Sequence, residues 1–163
     1  MKLATFVTPE GKQRVGIVEG ERIGEVPAFP DMLSLIEAFP DPRSLKAGKF
    51  YALKDVKLLA PIPRPPRIRD FLCFELHVRQ SRANRFLFGM GTERLDPAKV
   101  EIAKVWYQRP IYYKGNPFSV VGHEAEVRWP SYSRIIDYEL EIGVVIGRGG
   151  RNLAPADALG HVF

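Results

Sequence analysis

Short runs of alternating apolar and polar residues occupy the first sixty positions of the chain. Three of them, separated by turn signals such as Thr8-Pro9-Glu10-Gly11, span residues 2–7, 14–18 and 22–26. Side chains alternate between the two faces of a strand, so a period of two predicts β-strands. Residues 31–39 instead have helical spacing and begin with an aspartate that can cap a helix. The pattern predicts a small β-rich domain over residues 1–60.

A proline-rich connector, VKLLAPIPRPP, separates this region from the rest of the chain. Its prolines cannot all lie in a helix or a central strand, so we expect an extended segment. Beyond it, the apolar residues Phe71, Phe74 and Val78 have the spacing of a helix. The pattern predicts that this helix runs from Asp70 to about Asn84, with Asp70 near its N-terminus.

The later part of the chain reads mainly as strands. Four segments rich in β-branched or aromatic residues are predicted to be strands, at residues 111–114, 118–121, 125–129 and 135–146. The last has the strongest strand composition and ends at the glycines of GRGG. A further helix is predicted at residues 155–162. Residues 61–163 are therefore expected to form a second domain in which strands predominate.

Three carboxylates alternate within the strongest predicted strand. Asp137, Glu139 and Glu141 would share one face, with successive side chains about 6.6 Å apart along the strand. Converging carboxylates suit a hard divalent cation such as Mg²⁺ or Ca²⁺. The spacing alone also fits an exposed edge strand whose acids face water, which is the commoner arrangement.

His77 is the first candidate for acid–base chemistry, because imidazole titrates near neutral pH. Asp70 lies seven residues earlier, nearly in register on a helix, so both side chains are expected to face one cavity. The alternative is a half-buried structural histidine with a backbone partner. Cys73 lies one turn before His77 and can be read as a nucleophile. Its apolar neighbours, FLCF, favour a small core residue instead.

Composition narrows the class of protein. The chain has 163 residues, of which 45% are hydrophobic and 26% charged, as in globular proteins and unlike disordered or collagen-like ones. No apolar run approaches the roughly 20 residues of a membrane span, so no membrane association is expected. One cysteine cannot form an internal disulfide, which fits a reducing compartment. These observations predict a cytoplasmic protein.

The charge is mildly positive, with 24 basic and 19 acidic residues and a net charge of +5. Seven arginines lie between positions 64 and 94. Such a cluster can hold the carboxylate of a small substrate, or it can be a solvated helix face. Nucleic-acid binding is the third alternative and is not expected, because the nearby aromatics follow the core pattern rather than a stacking pattern.

Four segments, in this order, resemble the fumarylacetoacetate hydrolase family: VKLLAPIPRP, RDFLCFELHVR, WYQRPIYYKGNP and DYELEIGVVIGRGGRNL. The resemblance covers residues 56–163, and the β-rich region before them resembles the small N-terminal domain of many members. It implies a catalytic domain built as a mixed-sheet β-roll, usually in a homodimer. The fold class expected is therefore α+β with β predominating, a β-rich lobe followed by part of that roll.

The resemblance also implies the site residues. Glu139 and Glu141 match the paired glutamate ligands of a divalent metal, with Mg²⁺ preferred over Mn²⁺ or Ca²⁺. Asp70 matches an aspartate ligand of the hydrolase branch, and His77 matches the catalytic histidine. Three residues match or neighbour substrate contacts of the family: Tyr113, Lys114 and Arg85. Two departures stand out, since Gln80 replaces a glutamate that orients the histidine in some relatives, and Leu72 replaces a tyrosine.

The activity implied is metal-dependent hydrolysis or lysis of a carbon–carbon bond in a small oxo-acid or diketo-acid, or a related decarboxylation, isomerisation or hydration. The alternative is a non-catalytic subunit that keeps the fold and binds a ligand or partner. The family's third carboxylate ligand would lie beyond GHVF. We therefore expect a fragment, a split-gene product or one part of an assembly, paired as a homodimer or with a complementary C-terminal polypeptide.

Overall fold

A computed structural model describes all residues, 1–163, and divides the chain into two compact units. The first unit contains Met1–Pro65, Phe118–Glu126 and Leu140–Phe163. The second contains Pro66–Pro117 and Val127–Glu139. The chain thus leaves the first unit at the proline-rich connector and returns to it twice.

An antiparallel sheet of five strands forms the framework of the first unit, in the order β4-β3-β2-β1-β5. Its strands are β1 (Leu3–Val7), β2 (Gln13–Glu19), β3 (Arg22–Glu25), β4 (Phe50–Ala52) and β5 (Lys57–Leu58). The first three strands match the three alternating runs of the sequence to within one residue at every end. The predicted β-rich lobe is therefore present where the pattern places it.

One helix covers the apolar face of this sheet. Helix α1 (Met32–Ala38) buries Met32, Leu35 and Ile36 beside Val15 of β2. These four side chains form the core cluster, and burial of such residues contributes roughly 1.5–3 kcal/mol each. The predicted helix at residues 31–39 is confirmed. It ends at Phe39, whose left-handed backbone (φ 45°) stops the helix one residue before the proline.

The aspartate that begins α1 acts as the predicted cap. Asp31 accepts hydrogen bonds from the backbone N–H of Ser34 (2.8 Å) and from its hydroxyl (2.8 Å). These bonds, the backbone one first, hold the pKa of Asp31 below its usual value. The carboxylate form is therefore the one that the fold stabilises.

Replacing Asp31 by alanine is expected to lower the free energy of unfolding by about 1 kcal/mol, because the cap bond is lost. The pKa of Asp31 is depressed in the folded state, so its contribution is present above the unfolded pKa of about 4 and disappears as the pH falls through the folded pKa. Urea unfolding at pH 7 and at pH 2.5 measures both effects. Equal losses at the two pH values would contradict this account, and Asp55→Ala is the control because Asp55 caps no α-helix.

The second unit has few regular elements. Strands β6 (Asp70–Phe71) and β7 (Tyr112–Tyr113) form an antiparallel pair. Helices α2 (Glu75–Ala83) and α3 (Lys104–Gln108) accompany them, with 3-10 turns at Arg85–Phe88 and Pro97–Lys99. The buried apolar side chains of this unit are Val78, Ala83 and Val100. Apolar burial is therefore slight, and polar contacts carry much of its organisation.

The predicted helix over residues 70–84 begins five residues late. The backbone of Asp70 and Phe71 pairs with β7, and the N–H of Leu72 donates to the carbonyl of Ile111 (3.0 Å). Residues committed to a ladder cannot also make helical bonds, so α2 starts only at Glu75. The expected core position of Cys73 is also wrong, because its side chain is exposed and so are Phe71 and Phe74.

Three of the four strands predicted in the later part are wrong. Residues 118–121 contain the end of a 3-10 turn, and residues 125–129 contain no strand. In residues 135–146, Ile146 alone makes a bridge, to Val162. A strand needs a neighbour for its backbone hydrogen bonds, and beyond this bridge, which also includes the bond from the Phe163 N–H to the carbonyl of Val145 (2.8 Å), no segment of the chain pairs with residues 135–144. Within the segment predicted at 111–114, Tyr112–Tyr113 is a strand.

The remaining short elements are 3-10 turns at Pro42–Ser44, Leu53–Asp55, Pro117–Ser119 and Pro155–His161. The last takes the place of the helix predicted at 155–162. The fold class is confirmed as α+β with β predominating. The longest α-helix has nine residues, and no helix in the structure is long and apolar enough to cross a bilayer.

Candidate active site

The β6–β7 pair brings two of the expected site residues together. Asp70 lies directly opposite Tyr113 in the antiparallel register. The neighbouring rings of Phe71 and Tyr112 are 5.3 Å apart, centre to centre. The carboxylate of Asp70 is half-buried, whereas Tyr113 is 67% exposed. This strand pair therefore presents a carboxylate and a phenol side by side on an accessible part of the unit.

Helix α2 brings a third expected residue to a carboxylate. His77 Nε2 lies 3.3 Å from Glu139 Oε1, and both side chains are partly accessible, at 41% and 44%. The prediction that Asp70 and His77 share one helix face is wrong, because Asp70 lies on a strand. The pairing with Glu139 was not predicted, since some relatives place the carboxylate that orients the histidine at the position of Gln80. Glu139 supplies the carboxylate beside His77 that Gln80 cannot.

The other members of the acidic triplet do not belong to this ion pair. Asp137 belongs to the second unit, while Glu141 lies in the first, and both are exposed. Since residues 135–145 are not a strand, the expected sharing of one strand face is wrong. No group of three or more His, Cys, Asp or Glu side chains is arranged to hold a metal ion. The donors have the oxygen chemistry of a magnesium site, but the structure does not gather them.

Two basic candidates have different surroundings. Lys114 follows Tyr113 and is exposed. The next residue, Gly115, packs so closely that an added Cβ would lie 2.8 Å from Ile68 Cγ2, which fixes the chain beside Lys114. Arg85 begins a 3-10 turn, and its Nη2 lies 3.6 Å from the sulfur of Met90. It lines a cavity of about 540 Å³ whose lining includes neither the histidine nor its glutamate partner.

A polar cluster on the other side of α2 was not predicted from the sequence. Arg79 binds Glu75 through Nε (2.8 Å) and Nη2 (2.7 Å), and Glu75 also shares a hydrogen bond with Tyr107. These bonds, that of Arg79 first, lower the pKa of the Glu75 carboxyl. The glutamate–arginine spacing of four residues was a visible signal for the helical pair. Nothing in the spacing points to Tyr107, which comes from α3.

The net positive charge is confined to the second unit. That unit holds twelve basic and seven acidic residues, so it carries the whole excess of five, whereas the first unit has twelve of each. A concentrated excess of this kind raises the local concentration of small anions. The unit that carries Asp70, His77 and Tyr113 is therefore the one that carries the positive excess.

Family models match both parts of the chain. The model described as fumarylacetoacetate (FAA) hydrolase, C-terminal, matches residues 67–163. The chain belongs to the fumarylacetoacetate hydrolase family. A second model, described as Rv2993c-like, N-terminal, matches residues 1–61. The family expected from the four sequence segments is thus confirmed.

Two curated relatives in the fumarylacetoacetate hydrolase family are named for one reaction. The chain is 32% identical over 120 residues to oxaloacetate tautomerase YisK of Bacillus subtilis, covering 71% of this chain and 34% of that protein. It is 30% identical over 108 residues to the mitochondrial oxaloacetate tautomerase FAHD2A of Homo sapiens, covering 66% and 28%. The chain therefore spans about a third of the length of the curated relatives it matches.

A solved structure of the fumarylacetoacetate hydrolase family shares the fold. The fumarylacetoacetate hydrolase of the psychrophilic Exiguobacterium antarcticum matches with a TM-score of 0.60 at 21% identity. The match covers 100% of this chain and 53% of that one. At this identity the similarity establishes the fold alone.

Proposed function

We propose that this chain contributes the histidine-bearing part of an enzyme that interconverts the keto and enol forms of a small oxo-acid. The observation that carries the proposal is the His77–Glu139 pair, at 3.3 Å on an accessible surface. The names of the curated relatives favour oxaloacetate tautomerisation over hydrolysis or decarboxylation within the same family. Carbon–carbon bond cleavage remains the related reaction to be compared with it.

His77 is the proposed proton carrier. In its neutral form, the imidazole takes a proton from the carbon next to the carbonyl group, and the electron pair moves into the new carbon–carbon double bond. The imidazolium then gives the proton to the enolate oxygen, which returns the imidazole to its neutral form, so no atom is lost or added overall. Glu139 stabilises the imidazolium that forms, because the carboxylate lies beside Nε2. In a hydrolytic relative, the same imidazole would instead remove a proton from water.

Glu139, Glu141 and Asp70 are the proposed ligands of a divalent metal, Mg²⁺ in preference to Mn²⁺ or Ca²⁺, because carboxylate oxygens suit hard cations. When bound, such an ion polarises the carbonyl oxygen and stabilises the enolate. Glu139 offers two oxygens, so its Oε1 contact with His77 leaves Oε2 as a donor.

Tyr113, Lys114 and Arg85 are the proposed substrate contacts. Tyr113 has the strongest structural support, since it lies opposite Asp70 and is exposed. Lys114 adds a positive charge next to it. Arg85 lies at a separate cavity, so its role requires a substrate that reaches beyond the β6–β7 pair.

The experiment that tests the function follows the ultraviolet absorbance of enol-oxaloacetate as it converts to the keto form. A rate above that of the same buffer, dependent on His77, supports the proposal. No rate above buffer with Mg²⁺ present would contradict catalysis by this chain, and the same assay on 4-carbon diketo-acids separates isomerisation from bond cleavage.

The uneven charge gives a prediction about ionic strength. Raising NaCl from 20 to 500 mM is expected to raise KM for the oxaloacetate dianion by roughly tenfold and to change kcat little, because salt screens the attraction before binding. Initial rates across the salt series measure it. A sucrose series of equal osmolality is the control. A KM that does not change with NaCl concentration would show that the excess of basic residues does not attract the substrate.

A non-catalytic subunit is the second candidate, favoured by one observation, that no three metal-binding side chains converge. Such a subunit would bind the oxo-acid without turnover. Calorimetric binding of oxaloacetate with no acceleration of tautomerisation would favour this candidate over the enzyme.

A protein partner is also proposed. Tyr138, Leu140 and Ile142 are 82–95% exposed in a segment with the composition of a strand. A neighbouring strand from a second copy of this chain, or from a complementary C-terminal polypeptide, would provide partners for the backbone hydrogen-bonding groups of this segment.

The proposed location is the cytoplasm, because a single cysteine fits a reducing compartment.

A further inference from the structure

Helix α2 carries His77 but has little apolar packing to fix its orientation. Among its residues, Val78 and Ala83 are buried, while Leu76 is 62% exposed. Its first residue is preceded by Phe74, whose side chain makes no capping bond. Two small buried side chains limit translation of a helix much better than rotation about its axis. Polar contacts must therefore determine which way His77 faces.

The Glu75–Arg79–Tyr107 cluster provides those contacts. Glu75 receives both guanidinium bonds of Arg79 and shares a hydrogen bond with Tyr107 of α3. Arg79 also reaches beyond the helix, since its Nη1 donates to the carbonyl of Val100. One ion pair on α2 is thus tied to the chain at two further points.

Helix α3 extends the same connection to the strand that bears Asp70. Trp106 Nε1 donates to the carbonyl of Leu72 at 3.0 Å, immediately after β6. Its neighbour Tyr107 contacts Glu75 at the start of α2. Two adjacent residues of α3 therefore brace the end of β6 and the beginning of α2.

The cluster and the histidine occupy opposite faces of α2. At 3.6 residues per turn, Arg79 lies about 40° around the axis from Glu75, whereas His77 lies about 200° from it. A rotation of about 20° would move a side-chain group near the helix perimeter by about 2 Å. That displacement is enough to break the 3.3 Å contact of His77 with Glu139.

We propose that the Glu75–Arg79–Tyr107 cluster is a positioning device that sets the rotation of α2 and so directs His77 at Glu139. The inference rests on the proposed function only for the catalytic meaning of His77. The contact itself is measurable without turnover. Arg79 is a positioning residue, since it acts through the helix and touches no reacting group.

The test uses the imidazole of His77 as the probe, in the full chain labelled with ¹⁵N-histidine at one fixed pH. Glu139→Gln is expected to shift the His77 ring resonances in the unmodified chain. In an Arg79→Gln background that response should fall by at least roughly half, since a displacement near 1 Å already disrupts an aligned pair. Arg79→Lys should restore part of it, because an ammonium keeps the charge and one of the bonds.

Arg82→Gln is the matched control, because Arg82 lies on the same helix and donates to the carbonyl of Glu101 (2.9 Å) but is not part of the Glu75–Arg79–Tyr107 cluster. It should leave the response intact. A full response in the Arg79→Gln background overturns the proposal. So does a set of His77 ring resonances that does not shift on Glu139→Gln in the otherwise unmodified chain. If the Arg79→Gln variant does not fold, Tyr107→Phe is tested in its place. A reduced response of the His77 resonances to Glu139→Gln then supports the positioning proposal, and an unchanged response refutes it. If the proposed function is wrong but the positioning proposal is right, turnover will be absent while the His77 ring resonances still respond as described.

Discussion

Replacing His77 by glutamine is expected to lower kcat for enol-to-keto conversion of oxaloacetate by roughly 10²–10⁴-fold, the usual contribution of a positioned general base. Glutamine keeps a polar side chain of similar reach but cannot carry the proton. KM should change little, because Tyr113 and Lys114 are the proposed substrate contacts. Initial rates over a range of oxaloacetate concentrations give kcat and KM separately.

The chain offers a matched control in a second histidine with a glutamate neighbour. His123 Nε2 lies 3.7 Å from Glu124 Oε1, and its side chain is 63% exposed. His123→Gln makes the same chemical change beside the same type of carboxylate and should leave kcat unaltered. If His77→Gln retains normal turnover, His77 is structural and the assignment of the base is wrong.

The N-terminal lobe was predictable because its elements are determined locally. The alternation at residues 14–18 places Val15 on the buried face, and the aspartate at position 31 marks the start of α1. Each signal lies within the element it defines, and each agrees with the burial found. Such agreement between pattern, cap and core is what makes a fold readable from its sequence.

The second unit was less predictable because its elements depend on distant partners. Residues 70–72 have helical spacing, but pairing with residues 111–113 takes their hydrogen-bonding groups. Residues 135–145 have strand composition and no strand beside them. Composition reports the preference of a segment, whereas pairing depends on what lies next to it.

The candidate site shows the same division. The identities of His77, Asp70 and the two glutamates came from short motifs, and the structure does bring His77 to Glu139 and Asp70 to Tyr113. The contact between His77 and Glu139 joins residues 62 positions apart, and no local spacing encodes it. Motifs therefore predicted which chemical groups to consider, whereas the contacts between them came from the structure.

Replacing Glu141 by alanine is expected to remove Mg²⁺ binding, because the proposed site would lose one of three carboxylates whose charge balances the ion. Titration calorimetry with MgCl₂ measures the affinity. The loss should be at least about 100-fold, above the 10–100-fold typical of residues that merely orient a ligand. His77→Gln should leave the affinity nearly unchanged, which separates the metal site from the proton carrier.

Asp137 is the matched control for that experiment, since it is an exposed carboxylate in the same acidic segment and was not matched to a ligand. Asp137→Asn removes the same charge from the same segment. If only a general electrostatic attraction held the ion, the Mg²⁺ affinity would fall equally in both variants. A specific ligand role predicts that the affinity falls for Glu141→Ala alone. Equal affinities in the two variants would instead assign the carboxylates of the acidic segment to solvent.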